Sequence, residues 1–451
     1  MSKLFALENI NENTTDTELE AAAEVGEVAD VQVEIQEEIT DANKTAEAID
    51  EGIDAADQLE EVEEMVANAA EEEGLNPVAA EAIRIAVEAI CARVGANPKV
   101  MYPLYAAENF PSASSRKANA EIALESISEF LKNIWNKIKT VIQNLWNKVK
   151  EFWDKHFSKL GRIKKALESM REKISESSGK LKSKPYIEEA PSGLSDAFGG
   201  GDISTNVIKN FIDAHEGLVD SVENVSSRIN SFNIAASNLI TNNTNKSVST
   251  EGRKNRNRRN RNRNISSSGG GNTGSGNTSD NNTVNTNDEI EKNPIEDAIN
   301  LLQGDKEKTS GPLVGGLIIS YKFEIDDDGN VTLDITRDYD DKKDKGGVVL
   351  AEKNDVKDLL TKTLNLINDN IKAKAKQDKL QESFNKLSVA VEKAINNTKN
   401  EESQKALRKS MRAVYKINAK APVIQTEFLN LNVKLAKAVI SYAALCLKNY
   451  K

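Results

Sequence analysis

This chain of 451 residues has only two histidines, His156 and His215, and two cysteines, Cys91 and Cys446. None of the four lies in a CxxC or HExxH spacing, and no GxSxG or P-loop motif occurs. An enzyme is therefore not expected, nor are a metal, a cofactor or a small-molecule substrate; both histidines read as structural and both thiols as reduced, cytosolic side chains. Aromatic residues make up 5% and hydrophobic residues 38%, lean for one large core and better suited to extended helices and linkers. No run approaches the roughly 18 to 20 apolar residues of a membrane span. The opening Met1, Ser2, Lys3, Leu4, Phe5 is followed by Glu8 and Glu12 without the apolar stretch of a secretory signal, so a soluble protein is expected.

What the chain has instead is charge, and the charge is split along its length. Residues 1–125 carry 29 acidic against 7 basic side chains, a net of −22, residues 126–251 a net of +3, and residues 252–451 a net of +8. An acidic block tethered to a basic one can shield it from polyanions until the two are separated, the pattern of a precursor.

Periodicity predicts a mainly α fold: long N-terminal helices, a disordered Asn/Ser/Arg-rich linker and a C-terminal helical bundle with a β-hairpin. Residues 17–73 are rich in Ala and Glu and free of Pro, with apolar positions at helical spacing, giving one long acidic helix or two with a break near Gly26. Gly74 ends it, and Pro77 suits the first turn of a second helix over 78–94. These belong to an acidic segment, 1–125. A basic amphipathic helix is expected within 126–182, a Pro- and Gly-bearing linker over 183–204 and a helix over 205–240. Residues 241–288 hold almost no apolar side chains and are expected to be a basic disordered linker. In the last block, 289–451, alternation on both sides of Asp327, Asp328, Gly329 predicts one hairpin. Three or four helices are expected after it, over 354–373, 378–397, 401–418 and 423–448. Glu324, Asp326, Asp328 and Gly329 resemble the start of a calcium loop, but Ile335 occupies the place of the bidentate carboxylate, so a plain turn is expected.

Two segments invite a functional reading. Asn133, Ile134, Trp135, Asn136, Lys137, Ile138, Lys139 recurs eleven residues later as Asn144, Leu145, Trp146, Asn147, Lys148, Val149, Lys150, which keeps equivalent positions on one helical face. All three tryptophans, Trp135, Trp146 and Trp153, fall in this stretch, where 10 Lys and Arg stand against 2 acids between Lys132 and Lys165. Such a face could lie on an anionic membrane; its width favours packing in a bundle with the acidic helices, lysines paired with their carboxylates. The second segment packs Arg253, Lys254, Arg256, Arg258, Arg259, Arg261 and Arg263 into 11 positions without aromatics. Guanidinium groups spaced by Asn suit sequence-independent, salt-sensitive contact with nucleic-acid phosphates, the alternative being a solubilising linker.

The stretch Asn109, Phe110, Ser114, Ser115, Arg116, followed by Ala123, Leu124, Glu125, Ser126, Ile127 and the helix of Ile134, Trp135 and Ile138, comes after the acidic start. Over residues 100–160 it resembles the internal head (inner body) proteins of phiKZ-like giant tailed phages. The resemblance implies a virion protein carrying an N-terminal propeptide that directs it into the prohead, where it would meet other capsid or scaffold proteins. A phage-encoded prohead protease would cut after Ala-x-Glu or Ser-x-Glu, and the mature part would stay with packaged double-stranded DNA. Carried onto this chain, the pattern marks Glu125 before Ser126, Glu168 before Ser169 and Glu251 before Gly252; it also occurs at Glu8 and Glu108. Proteolysis needs an extended chain, so Glu251, in the segment whose composition opposes folding, ranks first. Glu125, at the acidic boundary, ranks second. The leading expectation is thus a non-enzymatic head protein, with a membrane-active helical protein as the runner-up and a hydrolase of unrecognised type as a weaker third.

Overall fold

The computed structural model describes residues 16–95, 112–181, 185–261, 296–299, 301–302, 308–325, 331–340, 345–397 and 401–450. Helix α1 spans Asp16–Glu71 and passes through Gly26 as one element. It stops because Gly74 takes φ +79°, where any Cβ would sit 2.3 Å from the Arg116 carbonyl carbon. Helix α2, Pro77–Arg93, starts with Pro77 in its first turn and the Asn76 side chain accepting the Ala79 N–H at 2.8 Å. Helix α3, Ala113–Glu176, is capped in the same way, Ser112 accepting the Ser115 N–H. Its first turn also caps α1: Arg116 Nε donates to the Glu73 carbonyl and Lys117 Nζ to the Glu71 carbonyl, placing cations on the negative end of the α1 dipole.

After α3 come β1 (Tyr186–Ile187), α4 (Ser192–Ala197), β2 (Gly201–Ile203) and α5 (Thr205–Arg261). A short α6 (Glu296–Ile299) precedes β3 (Lys308–Thr309), β4 (Leu317–Ile325), β5 (Val331–Tyr339) and β6 (Lys345–Val349). Two long helices, α7 (Lys353–Asn397) and α8 (Glu401–Lys448), complete the chain. Strands β3, β4 and β5 form an antiparallel sheet in that order, with Leu317 opposite Tyr339 and Ile325 opposite Val331. In the second sheet β6 is central, antiparallel to β1 and parallel to β2.

Cross-element contacts fix the directions of the helices. Lys148 meets Asp41 and Arg116 meets Glu73, so α3 runs antiparallel to α1. Lys139 meets Glu392 and Gln381 meets Asn147, so α7 is antiparallel to α3. Along α5 and α8, His215 pairs with Asn432, Gln425 with Ser226 and Asn233 with Asn418, again antiparallel. One continuous apolar core results, running from Val28 and Ile35 on α1 through Trp146 and Phe232 to Tyr442. Two buried amides inside it satisfy each other: Asn233 and Asn418 exchange hydrogen bonds at 2.9 and 3.0 Å. Neutral His215 is bonded at both nitrogens, Nδ1 lying 2.7 Å from Asn432 Oδ1 and Nε2 accepting the Val314 N–H at 3.2 Å. Burial pushes its pKa down to about 4.

Three boundaries differ from the sequence expectation. Residues 183–204, expected as a linker, carry β1, α4 and β2, with Ala190, Leu194, Phe198 and Ile203 buried. The order comes from pairing with β6, about 150 positions later in the chain, which local patterning cannot reveal. The four expected C-terminal helices are two: no breaker separates 373 from 378, and Pro422 lies inside α8, its lost ladder bond offset by burial of Ala421 and Val423. Helix α5 does not stop at residue 240 but keeps helical backbone to Arg261, since no Pro or Gly interrupts it between Leu218 and Glu251 and each added residue contributes one more ladder bond. Residues 262–295, the rest of the expected basic linker up to 288 included, lie outside the described residues. So do residues 326–330, where the sequence places the expected turn at Asp327, Asp328 and Gly329.

Candidate charged interface and processing sites

The acidic helix α1 lies antiparallel along the C-terminal helix α8, and between them runs a row of ion pairs. Every fourth residue of α8 from 408 to 420 is a cation, which sets Arg408, Arg412, Lys416 and Lys420 about 6 Å apart along one side of the helix. Opposite them, Glu63 Oε2 is 2.5 Å from Arg408 Nη1, and Arg412 faces both Asp57 Oδ1 at 2.5 Å and Glu60 Oε2 at 3.2 Å. Asp54 lies 3.5 Å from Lys416 and Asp50 3.6 Å from Lys420. The row grades from dry to wet: the Arg408 and Glu63 side chains are 7% and 11% exposed, those of Lys416 and Asp54 19% and 56%.

Burial dominates the electrostatics of this row. It pushes the Asp50 and Asp57 carboxyls up against the pull of their cations, and it pushes Glu60 up to about 7. Part of the acidic side is therefore held at a desolvation cost when ionised. A second set of pairs ties α1 to α3. Lys155 and His156 both meet Glu38; burial raises that carboxyl, but the hydrogen bonds from Lys155 and His156 outweigh it and hold it below the ordinary carboxylate range. Lys148 does the same for Asp41 at 2.9 Å.

The tryptophan stripe is inside the bundle. Trp135, Trp146 and Trp153 are each at most 3% exposed, and the Trp135 ring lies 5.9 Å from that of Tyr415 on α8. His156 is fully buried with its ring 4.5 Å from Phe152, not solvated. Cys91 and Cys446 are buried free thiols whose pKa burial pushes up to about 11, which leaves little thiolate at neutral pH.

The three leading processing positions all fall on helical backbone. Glu125 is exposed on α3 and Ser126 half-buried, flanked by buried Ala123 and Ile127; Glu168 and Ser169 are half-buried beside buried Ala166 and Leu167. Glu251 and Gly252 lie in the distal part of α5, beyond Ile240, the last core residue described on that helix. The same stretch carries Arg253, Lys254, Arg256, Arg258, Arg259 and Arg261, while Arg263, Glu8 and Glu108 lie outside the described residues. Sequence reasoning passed over the α8 cations. The signal was their even four-residue spacing along one helix.

Among the described residues, no group of three or more His, Cys, Asp or Glu is placed to hold a metal ion, and no helix is long and apolar enough to cross a membrane. No curated protein and no solved structure matches this chain. A family model does, over residues 29–445, and by it the chain belongs to the phiKZ-like phage internal head proteins.

Proposed function

We propose that this internal head protein, resident inside the phage capsid, is a non-enzymatic precursor whose N-terminal acidic part is cut away by the prohead protease and whose basic part associates with packaged double-stranded DNA. The observation that carries the reading is the polarity of the chain: a net of −22 over residues 1–125 against +8 over 252–451. The acidic helix seated on cations of α3 and α8 supports it, because a segment so placed competes with DNA for the same charges.

Glu251 remains the preferred cut and Glu125 the second. Beyond Ile240 the helix holds one apolar residue before Arg261, Val248, so its sequence gives it no apolar face to pack and only its own ladder to resist opening. A cut after Glu125 has to unwind a helix packed on both sides of the bond, and one after Glu168 likewise. Cutting at Glu251 also places the arginine tract at a new N-terminus, free to follow a phosphate backbone without reading bases. The membrane-active alternative loses its working surface, since the tryptophan face is covered by the bundle. Intact-mass analysis of the protein from mature virions tests the reading. A fragment beginning at Gly252 or Ser126 is expected; only uncut chain in the particle removes the precursor.

A further inference from the structure

We propose that the α8 row of Arg408, Arg412, Lys416 and Lys420 is itself a DNA-backbone surface, preformed beneath α1, and that the acidic helix, rather than any part of the arginine tract, marks where packaged DNA is gripped most closely. The inference rests on the precursor reading above and names a second contact surface for it.

The occupant is indicated by what already sits there. Five carboxylates, from Asp50 to Glu63, line up against four cations at distances of 2.5 to 3.6 Å, so the row is built to receive an extended polyanion. The three four-residue steps from Arg408 to Lys420 span about 18 Å of axis, a length over which duplex DNA presents roughly ten phosphates. Helical spacing also keeps the cations on rigid backbone, with Arg408 held further by Ser128 Oγ at 3.3 Å. The row and its acidic partner fall on opposite sides of the cut whether the protease acts at Glu125 or at Glu251. Either cut turns an intramolecular contact into one between separate chains, which loses the effective concentration that tethering supplied. The apolar side of α1, with Ile35, Ile39, Ile49, Ile53, Leu59 and Val62 buried, keeps the helix in place until then.

The test uses the full-length chain with a site-specific protease sequence inserted between α2 and α3, cut after purification so that α1 and α2 are held by packing alone. The affinity of this acidic fragment is measured with and without a duplex of about 30 base pairs at about 50 mM salt. DNA is expected to weaken fragment binding at least roughly tenfold, with a dependence on salt corresponding to about four phosphate contacts, a log–log slope near −3.6. In R408Q/R412Q/K416Q/K420Q the ratio with and without DNA should fall to one. Should that variant lose its helical circular dichroism, K416Q/K420Q at the wet end carries the test and should roughly halve the logarithm of the ratio. A fragment that stays bound at every DNA concentration overturns the proposal, as does release undiminished by K416Q/K420Q. Displacement by polyglutamate but not by DNA overturns it too, assigning the row to an acidic protein. A gel shift of the uncut chain, which reports the arginine tract, separates the two readings: tract binding with an immovable fragment sinks this inference alone, and no DNA binding by either form sinks both.

Discussion

Arg408 Nη1 and Glu63 Oε2, 345 positions apart in the chain, approach to 2.5 Å with both side chains almost wholly withdrawn from water. Removing one partner leaves the other charge buried, so Arg408→Met is expected to cost about 3–5 kcal/mol. The double variant R408M/E63L should recover most of that loss. Urea denaturation of the two single variants and the double closes the cycle; equal losses in the single and double variants would contradict the pairing.

Glu60 gives the α1 contact a pH dependence of defined sign. Its folded pKa, raised by burial to about 7 from an ordinary 4.5, means the folded state binds the extra proton between those values. This group's contribution is thus greatest below about pH 4.5 and is lost as pH rises to about 7, by an amount of order 2–3 kcal/mol. Denaturation at pH 5.5 and pH 8 should show a pH slope that Glu60→Gln reduces, because the amide stays neutral throughout.

His215 acts in the opposite direction. With a folded pKa of about 4 against an ordinary 6.5, it contributes stability above about pH 6.5 that is lost as pH falls toward 4, again of order 3 kcal/mol. His215→Gln should lower stability at neutral pH by leaving Asn432 or the Val314 N–H without its partner, and it should flatten the acid limb of the stability profile.

Gly74→Ala should destabilise the turn that joins α1 to α2. The new methyl would need φ +79° and would meet Arg116 backbone at 2.3 Å, so the α3 N-terminus must move away. A loss of about 2 kcal/mol or more is expected, with faster hydrogen exchange at Leu75, whose N–H bonds the Arg116 carbonyl.

Trp146→Ala should cost about 3–5 kcal/mol, since the ring is fully buried. In the parent chain, tryptophan emission should be blue-shifted, resist acrylamide quenching and stay unchanged when anionic vesicles are added. A vesicle-induced shift would revive the membrane reading.

Sequence pattern carried the helical class, the β4–β5 pairing and the ends of α1 and α2, because each is written in local spacing: Pro77, Gly74, and alternation on either side of Gly329. It could not carry the β1–β6–β2 sheet, whose short strands pair across the chain and hold too few residues to show a period. It divided α7 and α8 too finely, leaving a gap between 418 and 423 where buried neighbours carry the helix through Pro422. The processing motifs were legible as residues but not in their setting, since three-residue patterns say nothing of packing. The α8 row was hidden for another reason: four evenly spaced cations on a helix read as a solvated face unless the carboxylates that meet them are known.

Ile240 at one end and Ala298, Ile299 and Leu302 at the other are all seated in the core, so the Asn- and Arg-rich segment between them is tethered to the bundle at both ends. Closing such a loop costs entropy that grows only with the logarithm of its length, about 0.6 kcal/mol for each doubling. The segment can therefore be lengthened, shortened or opened with little effect on how the helices pack.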